Sequence, residues 1–186
     1  MRKFLMMALG LALVGPAAAL SCSWEWNANG SGWADSSCYY LVYSEQSLTA
    51  AEAVYAASNG AYVGNDGTWG GTFDGDAAKT SLGDTKYSVS KQGTDFTIPY
   101  DDTPTFTEIG FQQDKFPESG KFKGTEGYLY LVIFDDRTLS EAGQFAVAKA
   151  GETGQVKIDA KGQVVGPGGG ASLKFLTPVW LGGTHR

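Results

Sequence analysis

The chain has 186 residues, of which 42% are hydrophobic and 13% aromatic, with 14 basic side chains against 20 acidic ones and a net charge of −6. This composition excludes a disordered chain, since it holds enough apolar and aromatic mass to build a core. The acidic balance, with no basic stripe, excludes nucleic acid and anionic membranes as partners, because phosphate binding depends on clustered Lys and Arg.

Arg2 and Lys3 open the chain, followed by an uncharged apolar run over residues 4–15 (FLMMALGLALVG). Pro16 breaks that run, and Ala17, Ala18 and Ala19 supply a small-x-small pattern. This is the layout of a secretory signal peptide over residues 1–19, cleaved after Ala19. A spanning helix needs roughly 20 apolar residues. The run reaches that length only by counting Pro16 and the alanines, so no stable membrane span is expected after cleavage. Lipidation of Cys22 ranks below simple cleavage, because Ala19-Leu20-Ser21 lacks a leucine three places before the cysteine. Removal of the leader leaves 167 residues with a net charge of −8, since Arg2 and Lys3 leave with it. That length suits one domain, placed at residues 20–176 with a short tail at 177–186.

Residues 22–26 (CSWEW) alternate, with Cys22, Trp24 and Trp26 on one face and Ser23 and Glu25 on the other. A turn follows at residues 27–32, and residues 38–43 (CYYLVY) read as a second strand. Cys22 and Cys38 are the only cysteines. In an oxidising compartment such a pair is expected to form a disulfide, here tying the first strand to the second. Closing a loop of about 15 residues stabilises by roughly 3 kcal/mol in the chain-entropy model. Two separately buried thiols are the alternative, and the spacing is far from a Cys-x-x-Cys redox motif.

The one convincing helix comes next. Thr49 and Glu52 have the spacing of a capping box, Leu48 is placed to staple onto Ala53, and the run ends at Asn59-Gly60. Short strands then return around Tyr62, at 68–73, 86–91, 106–112, 128–134, 144–148, 155–158 and 172–175. Residues 128–134 (YLYLVIF) are the clearest buried strand, ended by Asp135, Asp136 and Arg137. Short strands and frequent turns predict an all-β domain with one short helix, built as an antiparallel β-sandwich or jelly-roll-like fold.

The residues offer little for catalysis. The single histidine, His185, stands next to last, which weighs against Ser-His-Asp and Cys-His mechanisms. Ser119-Gly-Lys-Phe122 lacks the glycine and hydroxyl of a phosphate-binding loop. Glu25 and Glu108 lie on predicted strands beside aromatics, but solvated surface carboxylates are the better reading, and no glycosidase pair is nominated. Asn65, Asp74, Asp76, Asp101 and Asp102 offer oxygens in loops, yet residues 78, 79 and 85 break an EF-hand pattern, and turn residues explain them. No metal or cofactor is expected. Trp33 and Trp69 sit in Gly-rich surroundings and are the candidates for stacking on sugar rings, whereas Trp24 and Trp26 suit a core. Asn29-Gly-Ser31 matches a short glycosylation pattern.

At residues 173–179 (LKFLTPV) the chain resembles the lead-in to the sorting signal of PEP-CTERM proteins, exported proteins of Gram-negative bacteria handled by an exosortase. The leader, the Tyr-rich run ending in Phe134-Asp135-Asp136 and the Gly-rich approach to the tail are similar to β-rich members of that group. In the family a Val-Pro-Glu-Pro motif, a hydrophobic helix and a basic end follow. Here Pro178 and Val179 are followed by WLGGTHR, so all three are missing. A frameshifted or truncated gene is one explanation, as codons for residues 182–185 read one base along permit Glu-x-Pro-Thr.

These readings lead to an exported protein, secreted, surface-bound or periplasmic, with a structural or interaction role and no catalysis. Extracellular polysaccharide or surface proteins are the expected partners. A secreted carbohydrate-binding module using Trp33 or Trp69 is the alternative, and a carboxylate-based hydrolase ranks below it.

Overall fold

The alternation of residues 22–26 is realised in strand β1 (Leu20–Ala28), in which Cys22, Trp24 and Trp26 are buried while Ser23 and Glu25 are only partly covered. The computed structural model describes residues 20–28, 37–59, 75–83, 87–90, 93–96, 107–116, 122–134 and 145–181. The leader, Asn29, Trp33, Trp69, the strands expected around Tyr62 and at 68–73, and the loops at Asn65 and Asp101 lie outside those residues.

After β1 come β2 (Ser37–Ser44), helices α1 (Ala50–Asn59) and α2 (Gly75–Leu82), and strands β3 (Tyr87–Val89), β4 (Gly93–Phe96) and β5 (Thr107–Phe116). The chain continues through β6 (Glu126–Phe134), β7 (Phe145–Ala150), β8 (Gln155–Ile158), β9 (Gln163–Val165) and β10 (Ser172–Leu181). All ten strands join one sheet.

Several of these strands are collinear pieces of longer ones. β6 faces β7 from Tyr130 to Phe134 and then faces β8 from Glu126 to Tyr128, with residues 151–154 looped out between. The Gly154 N–H donates to the Ala150 carbonyl at 2.9 Å and its own carbonyl accepts the Leu129 N–H at 2.9 Å, so the ladder resumes after the excursion. Gly151 and Gly154 take φ of 58° and 79°, which this tight loop requires. On β1 the partner of Cys22 is Val164 and that of Ser23 is Ser172, so residues 166–171, after the end of β9, form a second excursion. β3 and β4 likewise share one edge of β2, bridged at Ser90, whose N–H donates to the Leu41 carbonyl and whose hydroxyl accepts the Leu41 N–H, both at 2.8 Å.

Counting joined pieces together, the order across the sheet is β3/β4, β2, β6, β7/β8, β10/β9, β1, β5. Every neighbour is antiparallel except β1 with β9 and β10, which are parallel. The mostly-β expectation holds, and the purely antiparallel part of it gives way to a mixed sheet. The parallel pairing comes from an N-terminal strand lying beside the last one, a partnership that no local pattern in residues 22–26 encodes.

The sheet is strongly curled. β1 and β2 are four ladder steps apart, about 19 Å in a flat sheet at the usual spacing. Yet the rings of Trp24 on β1 and Tyr39 on β2 meet edge-on with centroids 5.1 Å apart. The inner face is therefore filled by Cys22, Trp24, Trp26, Tyr39, Leu41 and Tyr43 together with Phe116, Phe122, Leu131 and Phe175. The alternate residues of β2, Cys38, Tyr40 and Val42, pack on the outer face with Val132, Phe134 and Phe145.

Helix α1 covers that outer face with Ala53, Val54, Ala56 and Ala57, all fully buried. Its start follows the expected capping box. Thr49 N–H and Thr49 Oγ1 both donate to Glu52 Oε2, at 2.7 and 2.8 Å, and the Glu52 N–H donates to Thr49 Oγ1 at 3.2 Å. Leu48 and Ala53 are both buried, as a staple requires. The Leu48 N–H also donates to Tyr130 Oη at 2.7 Å, fastening the helix entry to the sheet.

Three expectations are corrected. A second helix, α2, adds to the single one expected; its sequence GDAAKTSL holds weak helix formers, and it is anchored by Ala78 and Leu82, an i, i+4 pair in the core. The last strand runs beyond residue 176 to Leu181, pairing Pro178, Val179 and Trp180 with β7 past a one-residue irregularity after Phe175. Pro178 fits there because a strand tolerates proline beside a bulge. Finally, no disulfide joins Cys22 to Cys38. They occupy opposite faces of the sheet on strands that are not neighbours, and a bridge needs Cα atoms within about 7 Å and converging Cβ vectors.

Candidate functional site

A depression lies where β6 begins, beside β8 and the excursion at 166–171. On the opposite, inner face of the sheet the start of β6 is held by a short relay. Thr125 Oγ1 donates to the Phe122 carbonyl at 2.7 Å, which leaves its lone pairs to accept the Tyr43 hydroxyl, also at 2.7 Å. The Ile158 N–H donates to the Thr125 carbonyl and the Gly124 N–H to the Ile158 carbonyl, at 2.9 and 3.0 Å. Gly127 is obligatory here: a Cβ would meet the Ser44 carbonyl and would stand 2.6 Å from Tyr43 Oη.

On the outer face a groove of about 350 Å³ is lined by Glu45, Glu126, Tyr128, Gln155, Lys157 and Pro167, among others. The register explains the grouping. Glu126 stands directly opposite Lys157 and Tyr128 opposite Gln155, so their side chains share one face. Lys157 Nζ is 3.8 Å from Glu126 Oε1, with the side chains 54% and 79% exposed, so this pair adds little to stability. Two carboxylates, an amide and one ammonium make a solvated surface of hydrogen-bonding groups, slightly negative in balance.

The titration behaviour nearby is structural in origin. Burial raises the Tyr43 phenol above its ordinary value, the Thr125 hydrogen bond opposes this, and the charges of Glu45 and Glu126 add to the rise. Burial does the same at Tyr130, opposed by hydrogen bonds from Leu48 and Ser47. Tyr40 is raised by burial first and then by Cys38. At the β8–β9 turn the Asp159 carboxylate is held below its usual range by the N–H groups of Gln163 and Lys161, each donating to Oδ1 at 2.8 Å.

Of the residues singled out from sequence, Trp33, Trp69 and the side chain of Glu108 lie outside the described residues. Glu25 is on the outer side of β1, with Lys174 Nζ 2.8 Å from its carboxylate and opposite it in register. Cys22 and Cys38 are both fully buried. Asp76 falls in the first turn of α2. The groove residues Glu45, Gln155 and Lys157 escaped sequence reasoning. The alternation in QVKI places Gln155 and Lys157 outward, but their pairing with Glu126 depends on the four-residue excursion that precedes them.

No protein-family model, curated protein or solved structure matches the chain. Among the described residues no helix is long and apolar enough to cross a membrane.

Proposed function

We propose that the chain is an exported, β-rich protein with a structural or interaction role at the cell surface or in the extracellular matrix, and not a catalyst. The observation that carries this reading is the filling of the curled sheet. Trp24, Trp26, Tyr39, Tyr43, Phe122 and Phe175 occupy its inner face, so the space that would hold a substrate in an open barrel is a packed aromatic core. Such a body offers its surface, not its interior, to partners. A sandwich-like reading of the curl, in which β1 and β2 face each other through Trp24 and Tyr39, suits that role.

Export rests on the leader pattern at residues 1–19. The PEP-CTERM resemblance adds a sorting route as a proposal. Its residues 173–179 belong to β10, so in this chain they serve the sheet. Expression in a Gram-negative host followed by N-terminal sequencing tests the reading: Leu20 should be the first residue of a product found outside the cytoplasm. A cytoplasmic product retaining Arg2 and Lys3 overturns it. The nucleotide sequence past codon 179, in all three frames, tests the sorting route through an open frame for Pro-Glu-Pro-Thr, an apolar helix and basic residues.

A carbohydrate-binding module is the second reading. The groove of Glu45, Glu126, Gln155 and Lys157 favours it, because carboxylates and amides are the groups that hydrogen-bond sugar hydroxyls. Binding on a glycan array that Glu126→Ala or Gln155→Ala abolishes would promote it, and binding lost in Trp33→Ala or Trp69→Ala would place the site elsewhere.

A further inference from the structure

Cys22 and Cys38 are the only thiols of the chain, and each is 0% exposed. Cys22 is embedded with Trp24 and Trp26 inside the curled sheet, while Cys38 lies on the outer side with Val54 and Phe134. Bringing Cys38 to the inner face would require β2 to slip by one residue. That slip turns Tyr40 and Val42 inward and expels Tyr39, Leu41 and Tyr43. It breaks the Trp24–Tyr39 and Tyr43–Phe122 ring contacts and the Tyr43–Thr125 hydrogen bond. In the unfolded chain nothing opposes the bond, since the two cysteines stand 16 positions apart and a loop of that length closes at modest entropic cost.

We infer that the Cys22–Cys38 disulfide and the native sheet exclude one another, so that these two thiols form a redox-sensitive folding switch. The reduced chain folds and shields both sulfurs. The oxidised chain is held unfolded until the bond is reduced, so an exported chain has to close its sheet over both sulfurs before an oxidant reaches them.

The step needs a small-molecule disulfide as oxidant. One cysteine thiolate attacks a sulfur of the oxidant and displaces the other as a thiolate, giving a mixed disulfide. The second cysteine thiolate attacks the protein sulfur of that mixed disulfide, forming the Cys22–Cys38 bond. The oxidant leaves as a dithiol carrying the two protons, reduced by two electrons.

The test uses the full chain in a guanidinium series, with and without excess oxidised dithiothreitol, a cyclic disulfide that leaves no stable adduct. Near-ultraviolet circular dichroism follows the aromatic core, and mass spectrometry follows the loss of two hydrogens. In the absence of denaturant no disulfide should form. Across the transition its yield should track the unfolded fraction, and the oxidant should move the midpoint to lower denaturant. Cys38→Ala should show the same midpoint with and without oxidant, and Cys38→Val serves equally should the alanine variant not fold. An unchanged or raised midpoint in the natural chain overturns the inference, as does a disulfide-bonded species that keeps the native near-ultraviolet signal.

Discussion

The Trp24 and Tyr39 rings lie 5.1 Å apart at an interplanar angle of 69°, although three strands separate β1 from β2 within the sheet. Trp24 also meets Phe175 of the adjacent strand β10 edge-on at 5.7 Å, so one indole touches both its neighbouring strand and the distant β2. Edge-to-face pairs of this kind contribute beyond their buried area. Trp24→Ala should therefore destabilise the fold by about 3–5 kcal/mol, read as a lower guanidinium midpoint. Trp24→Phe, which keeps an aromatic edge, should recover part of the loss. A midpoint unchanged in Trp24→Ala would show that the curl does not depend on this contact.

Gly127→Ala tests the start of β6. The added methyl has no room between the Ser44 carbonyl and Tyr43 Oη, and overpacking of this sort costs about 1–3 kcal/mol. Tyr43→Phe in the same background removes the hydroxyl at 2.6 Å but leaves the Ser44 carbonyl and the ring carbon Cζ at 2.8 Å, so it should restore little of the stability. Full recovery in the double variant would show that the Tyr43 hydroxyl alone crowds the site.

The capping box of α1 predicts that Thr49→Ala lowers stability by about 1 kcal/mol. Thr49→Ser, which keeps the hydroxyl that accepts the Glu52 N–H, should lose far less. Thermal melts monitored at the helical band separate the two.

Tyrosine ionisation sets the alkaline limit. Tyr40, Tyr43, Tyr87 and Tyr130 are all raised above 10.0, with burial as the first cause. Above that pH the unfolded chain binds fewer protons than the folded one, so stability falls as pH rises. It is fully present below about pH 10 and drains away through the folded-state values. A spectrophotometric phenolate titration should show a delayed, cooperative step coinciding with loss of near-ultraviolet signal; gradual independent ionisation would contradict it. On the acid side Asp159 acts in the opposite sense, its contribution present above 3.8 and lost as pH falls through its lowered value.

Thiol chemistry separates the observed arrangement from the disulfide that composition suggests. Alkylation in denaturant should find two thiols, and alkylation of the native chain should find neither, given that Cys22 and Cys38 are fully buried. A chain with no thiols after denaturation would restore the bridge.

Local physics was legible in the sequence wherever one segment settles its own structure. Cys22, Trp24 and Trp26 share a face as their spacing requires, Thr49 and Glu52 cap a helix, and residues 128–134 lie in a buried strand. What escaped was the assignment of faces and partners between segments. Cys38 begins a strong strand, but whether it or Tyr39 points inward is decided by β6, whose Phe134 and Ile133 sit opposite them. The groove was hidden for the same reason: Glu126 and Lys157 meet only because residues 151–154 leave the ladder without changing its alternation. α2 was missed because a single i, i+4 pair in an otherwise polar octet gives almost no periodic signal.

The placement of β1 carries a consequence for how the molecule comes into being. Its neighbours are Thr107–Phe116 on one edge and residues 163–175 on the other. The first described strand thus waits until Thr107–Phe116 is made before it meets a partner, and until residues 163–175 before its other edge is filled. Contacts so distant in sequence form slowly. The sheet is completed only as β10 arrives to lie along the strand that was made first.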